Sequence, residues 1–283
     1  MAQDWVLASD LDGTLLRPDG SVSAATRAGL ASAADRGGLV VFVTGRPPRW
    51  MPAVVSATGH AGIAVCANGS VTVDLESDQI LSAHCLPTDA VAEARQRILA
   101  LLGTGSSFGL EYAPLGPIDG SGFFHEPEFA PVARTGAKLH NFSDPLPTGD
   151  VVKLLARAKP AAVADSDHLS PTFHREIAEL VATAAEALGD LGTVSHSSRT
   201  QLLLEVAPLG VTKATGIADL AQVTKAPGVQ LLAVGDMPND IPMLEMADRS
   251  YAVASAHPSV LAIADEVIPD PEDDGVLKLI DSL

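Results

Sequence analysis

Three short apolar runs limit what this chain can fold into: Trp5 to Ser9, Leu39 to Val43 and Val229 to Val234. Each is too short for a helix. Each is continuous rather than alternating, the pattern of a strand buried on both faces. Helical signals separate the first two. Ser23 stands as an N-cap before a helix to Arg36, with Gly37 as its stop. Pro48 to Thr58 reads as a second helix, since proline is tolerated in a first turn. Gly62 to Ala67 is a third strand. This alternation predicts a parallel sheet with right-handed crossovers.

The style returns in the last third of the chain. A helix is expected over Lys213 to Val223, a strand over Val229 to Val234 and a helix over Asn239 to Ala247. A short strand at Tyr251 to Val253, a helix at Pro258 to Ala264, a strand at Val267-Ile268 and a last helix to Leu283 follow. The middle reads differently. Ser70 to Cys85 alternates as a hairpin does. Gly103 to Gly149 is rich in Gly, Pro and Ser, with aromatic residues interleaved. Helices are expected at Thr88 to Leu102 and Pro171 to Leu188, and strands at Val151 to Leu155 and Gln201 to Val206. The fold class is therefore α/β, a Rossmann-like parallel core of residues 1–84 and 208–283 with an α+β insert over 85–207.

Charge narrows the function. The 283 residues carry 18 basic and 35 acidic side chains, a net charge of −17. That argues against nucleic acid and against an anionic membrane as partners. It also means that an anionic substrate would need a bound cation or a local cluster of donors. Cys66 and Cys85 are too few for a disulfide scaffold. The first residues carry no secretory signal, so the expected compartment is the cytoplasm. Nothing in the sequence points to a protein partner.

The chemistry-bearing residues gather where strands are expected to end. Asp10-Leu11-Asp12-Gly13-Thr14 follows the first strand. Two such carboxylates, aimed at one cavity, repel unless a cation lies between them, and oxygen-only ligands suit Mg²⁺. A turn is the plain alternative. A calcium loop is excluded, because Leu15 and Ser21 stand where that loop needs glycine and glutamate. Thr44-Gly45-Arg46 ends the second strand and offers a hydroxyl and backbone N–H groups to an anion. Lys213 opens a helix, where an ammonium is unfavourable unless an anion faces it. Gly235-Asp236-Met237-Pro238-Asn239-Asp240 ends another strand and adds two carboxylates and an amide. Asp10, Thr44 and Asp236 thus share the carboxyl edge of a parallel sheet, where open α/β folds bind ligands.

In this order and placement, the motifs resemble those of the haloacid-dehalogenase (HAD) superfamily phosphatases, and within it the Cof-type branch. Asp10 to Thr14 is similar to its first motif, Thr44 to its second, Lys213 to its third, and Gly235 to Asp240 to its fourth. In that branch an α/β cap lies between the second and third motifs. Ser255-Ala256-His257 departs from it, standing where the branch commonly has a glycine-asparagine-alanine turn.

The resemblance implies a Mg²⁺-dependent phosphatase of small phosphorylated metabolites, sugar phosphates first and vitamin or cofactor precursors next. Asp10 would be the nucleophile, forming an aspartyl-phosphate, and Asp12 the general acid and base. Mg²⁺ would be held by the Asp10 and Asp236 carboxylates and the Asp12 backbone carbonyl, with Asp240 direct or through water. Thr44, Gly45, Lys213 and Asn239 would bind the phosphoryl group. Arg46 and Asn68 are the expected substrate contacts, ahead of Lys138, His140 and Lys153. A phosphomutase on the same scaffold is the runner-up, and a non-catalytic binding module ranks last because nucleophile, acid and lysine are all present.

Overall fold

The computed structural model describes residues 4–113, 122–129, 137–157, 171–197 and 203–283. The chain divides into two compact units. One is Met1–Ser82 with Thr212–Leu283, and the other is Ala83–Val211.

The first unit is built on an eight-stranded sheet. Its strands in chain order are β1 (Trp5–Ser9), β2 (Gly38–Val43), β3 (Ile63–Cys66), β4 (Val71–Asp74) and β5 (Gln79–Ala83). They are followed by β12 (Gln230–Gly235), β13 (Arg249–Val253) and β14 (Glu266–Ile268). The spatial order is β14-β13-β12-β1-β2-β3-β4-β5. Every pair from β14 to β3 is parallel, and β4 returns antiparallel to β3. The order reverses direction between β1 and β12, which makes the carboxyl ends of those strands the switch point. All five residues of β1 are buried, as a strand covered on both faces requires. Each large aliphatic side chain so buried contributes roughly 1.5–3 kcal/mol.

Helices α1 (Ala24–Ser32), α2 (Met51–Thr58), α5 (Lys213–Ala218), α6 (Ala221–Thr224), α7 (Ile241–Met246), α8 (Pro258–Leu261) and α9 (Gly275–Ser282) belong to this unit. Ser23 caps α1 as expected, its hydroxyl accepting from the Thr26 N–H at 2.9 Å. Several helices are shorter than the sequence suggests. The first stops at Ser32 and tightens into a 3₁₀ turn over Ala34–Arg36. The second opens with a 3₁₀ turn at Pro48–Trp50, and α7 is preceded by another at Pro238–Asp240. The expected helix Lys213 to Val223 breaks between α5 and α6, where Leu220 leaves the helical backbone at ψ 22°.

The second unit carries a six-stranded sheet. Its strands are β6 (Ser107–Tyr112), β7 (Phe123–His125), β8 (Lys138–Leu139), β9 (Val151–Arg157), β10 (Thr193–Ser195) and β11 (Leu203–Ala207). They lie in the order β10-β11-β9-β6-β7-β8. All pairings are antiparallel except β7 with β8. Helices α3 (Thr88–Leu102) and α4 (Pro171–Leu188) match the expected spans. Val91 and Ile98 of α3 and Ala184 and Leu188 of α4 bury themselves against Phe108, Leu110, Leu154, Leu204 and Val206 of the sheet. The stretch from Gly103 to Gly149, for which the sequence predicts no strand, thus contains β6, β7 and β8. Part of the expected strand from Gln201 falls outside the described residues; the described strand runs from Leu203. Among the described residues, no helix is long and apolar enough to cross a membrane.

Candidate active site

Asp10 continues the ladder of β1 by one residue, its N–H donating to the Val234 carbonyl of β12 at 3.0 Å. That bond fixes its backbone at the switch point. Its side chain is buried and meets two other carboxylates. Ligand oxygens of Asp10, Asp236 and Asp240 all lie within 4.8 Å of one another. The Lys213 ammonium, itself buried, donates to Asp10 Oδ1 at 2.5 Å and to Asp240 Oδ1 at 2.5 Å. These two carboxylates are the anions that justify a lysine in the first turn of α5. The turn itself is set by Thr212, whose hydroxyl takes the Thr215 N–H while Thr215 returns the bond to the Thr212 N–H.

Asp240 is fully committed. Its Oδ2 accepts from the backbone N–H groups of Asp236 and Met237, each at 2.9 Å, while Oδ1 holds Lys213. Gly235 makes this possible, since a Cβ there would come within 2.6 Å of the Asp240 side chain. Asp236 accepts from the Thr14 hydroxyl at 3.3 Å, and its carbonyl accepts the His257 N–H at 2.7 Å. So Ser255-Ala256-His257, despite its departure from the family turn, still contacts the acidic loop through its backbone.

The electrostatics are unbalanced. Burial raises the Asp10 carboxyl well above the usual carboxylate range; Lys213 pulls it down, and the Asp240 and Asp236 charges push it up again. Lys213 is itself held above its ordinary value. Burial opposes its charge, but Asp10 and Asp240 more than offset that. Three buried carboxylates facing one ammonium leave an excess of negative charge among hard oxygen donors. That donor set fits a divalent cation of the Mg²⁺ type.

Thr44 is buried at the end of β2, and its hydroxyl accepts the Arg46 N–H at 3.0 Å. Its carbonyl accepts the Asn68 N–H at 3.0 Å. Asn68 sits in the left-handed region at φ 59°, and its Oδ1 accepts from Asn239 Nδ2 at 3.2 Å. Gly69, also at positive φ, lies against the Thr212 carbonyl so closely that a Cβ would approach to 1.9 Å. Gly45 is half-buried between Thr44 and Arg46. Asp12 behaves unlike Asp10. Its side chain is 58% exposed, outside the acidic cluster, and gripped by Arg46. Arg46 Nε donates to one oxygen at 2.7 Å and Nη2 to the other at 2.5 Å.

The core residues singled out by sequence therefore belong to one unit, and hydrogen bonds tie them into two groups: Asp10–Lys213–Asp240–Asp236 with Thr14, and Asp12–Arg46–Thr44–Asn68–Asn239. Sequence reasoning missed the Thr14 hydroxyl on Asp236 and the Arg46 fork on Asp12. The first had a signal, a threonine inside the leading motif; the second had none, since Arg46 is separated from Asp12 by a whole helix. The weaker candidates lie in the second unit. Lys138 is exposed, its ammonium over the Phe124 ring, and His140 packs edge-on against Phe142. Lys153 is buried, 3.5 Å from Glu205.

Comparison with known proteins settles the family. Residues 7–101 and 156–280 match the haloacid dehalogenase-like hydrolases. The chain belongs to this family. The hydrolase is 25% identical over 281 residues to the 5-amino-6-(5-phospho-D-ribitylamino)uracil phosphatase YitU of Bacillus subtilis, covering 98% of this chain and 96% of that protein. It is 27% identical to the pyridoxal phosphate phosphatase YbhA of Escherichia coli, covering 97% of each. Its fold is similar to that of SMU.1108c from Streptococcus mutans, with a TM-score of 0.76 at 21% identity over 98% of this chain and 97% of that one.

Proposed function

We propose that this hydrolase is a Mg²⁺-dependent phosphatase of small phosphomonoesters, working through an aspartyl-phosphate on Asp10. The observation that carries the reading is the buried Asp10 carboxylate at the switch point, held by Lys213 and clustered with Asp236 and Asp240. The Asp10 and Asp236 carboxylates and the Asp12 backbone carbonyl would hold the ion. Asp240, with both oxygens engaged, orients Lys213 and the acidic loop instead of ligating. When bound, Mg²⁺ offsets charge on the phosphoryl oxygens and on the carboxylates.

Asp10 attacks phosphorus in line, and the ester oxygen leaves with a proton from Asp12. Water then attacks phosphorus of the aspartyl-phosphate and gives a proton to Asp12; phosphate leaves, Asp10 returns as a carboxylate and Asp12 as the protonated acid. Lys213, Thr44, Gly45 and Asn239 present donors to the phosphoryl oxygens. Such a site works by positioning and charge compensation, which is what phosphoryl transfer demands. It also resolves the conflict between an acidic protein and an anionic substrate, because ammonium and cation reverse the field locally.

For the leaving group we favour phosphomonoesters of nitrogen-heterocyclic cofactors or their precursors over plain sugar phosphates. The names of both relatives describe a phosphate carried by such a ring system. Asn68 is the core residue we assign to the leaving group. The test is phosphate release from a panel that includes p-nitrophenyl phosphate, pyridoxal phosphate and hexose phosphates. Release with Mg²⁺ that EDTA abolishes, greatest on the heterocyclic esters, is expected. An isomerised sugar phosphate without free phosphate would indicate a mutase, and silence across the panel with metal bound would defeat the reading.

A further inference from the structure

We propose that Arg46 is a positioning residue that sets the direction of the Asp12 carboxylate. The proposal rests on Asp12 acting as acid and base. It departs from the expectation that Arg46 touches the substrate.

The backbone places Asp12 but does not orient it. The loop folds back tightly after Asp10, with the N–H groups of Leu15 and Leu16 both donating to the Leu11 carbonyl at 3.1 and 2.7 Å. Gly13 takes φ 83° to allow it. This turn sends Asp10 inward and leaves the Asp12 side chain in the open, free to choose among staggered χ1 wells and to turn its carboxylate plane about a broad χ2. Among the described residues, Arg46 is the sole side chain that donates to Asp12. A guanidinium that meets a carboxylate through two parallel N–H···O bonds fixes distance and plane together. The fork therefore removes the freedom that the loop leaves.

Arg46 is built to do this. Its N–H is held by the Thr44 hydroxyl, and its carbonyl accepts the Ala67 N–H at 2.9 Å. Pro47 follows it, and a residue before proline is confined to extended backbone. The stem is thus pinned at the end of β2, and the side chain reaches across to the end of the neighbouring β1. Arg46 is largely covered, at 20% exposure, while its partner carboxylate stays open to solvent and to an incoming leaving group.

The test uses the full chain with Mg²⁺ and p-nitrophenyl phosphate. Arg46→Ala is expected to lower kcat about tenfold or more, since misplacing a reacting group by ~1 Å costs up to 10²-fold, with KM within about twofold. Arg46→Lys, which keeps the charge and loses the fork, should resemble it. In an Asp12→Asn background the alanine change should cost almost nothing, because the two residues act as one unit. A raised KM with intact kcat, or equal losses in both backgrounds, would make Arg46 a substrate contact and overturn the proposal. A readout without turnover separates this from failure of the phosphatase reading. The Arg46 Nε–H nuclear magnetic resonance signal should be protected from exchange in the unaltered protein and lose that protection in Asp12→Asn. Protection that survives in the variant would overturn the proposal even if the enzyme is active. An unaltered protein that never turns over defeats the phosphatase reading instead.

Discussion

Asp10, Thr44 and Asp236 each stand immediately beyond the last residue of their strand, whereas Glu111, Lys153 and Glu205 stand inside theirs. The first three belong to the parallel part of their sheet, covered on both faces, whose interior positions leave no room for charge. The other three belong to an antiparallel sheet whose helices occupy one face. Glu111 and Lys153 are direct cross-strand partners, and Glu205 faces the neighbouring Leu155, so all three side chains share the face away from α3 and α4. One sheet gathers its ionisable groups at an edge, where a ligand can reach them. The other pairs Lys153 with Glu205 at 3.5 Å, and buries Glu111 directly across the strands from Lys153.

The two sets should therefore fail differently when altered. Asp10→Asn removes the proposed nucleophile with little change of volume. Phosphate release should fall to background while circular dichroism and melting temperature stay close to those of the unaltered chain. Turnover that survives would break the assignment of chemistry to the edge set. Lys153→Met acts on the other set. It leaves the buried Glu205 carboxylate without its cation, and losing one partner of a buried pair costs about 3–5 kcal/mol. A lowered denaturant midpoint with unchanged slope is expected. A midpoint that does not move would show that the row contributes no stability and that the contrast between the sheets is wrong.

The same contrast explains what could be read from the sequence. The continuous runs Trp5 to Ser9 and Val229 to Val234 announced buried parallel strands, and the polar residues that end them marked the edge. The strands Ser107–Tyr112 and Phe123–His125 were not legible, because a half-polar strand containing Gly109 and Glu111 resembles a loop in a Gly- and Ser-rich stretch. Helices α3 and α4 were legible through their long apolar periodicity, while α5 and α6 read as one because a single non-helical residue leaves no mark on it. Lys213 was legible as a cation in want of an anion, and Asp10 and Asp240 supply it. The choice of Asp240 as one of those anions and the fork on Asp12 were not, since each depends on residues far apart in the chain meeting at bonding distance.

The proposed mechanism requires Asp10 to form the covalent bond to phosphorus. Replacing Asp12 by Asn should slow the hydrolysis of that bond more than its formation, so the phosphorylated protein should accumulate when Mg²⁺ and a substrate ester are supplied. Acid quenching followed by peptide mass spectrometry should then find one phosphoryl group on the segment from Trp5 to Leu16, located at Asp10. A phosphoryl group on any other residue, or a variant that releases phosphate at full rate with none ever bound, would contradict it.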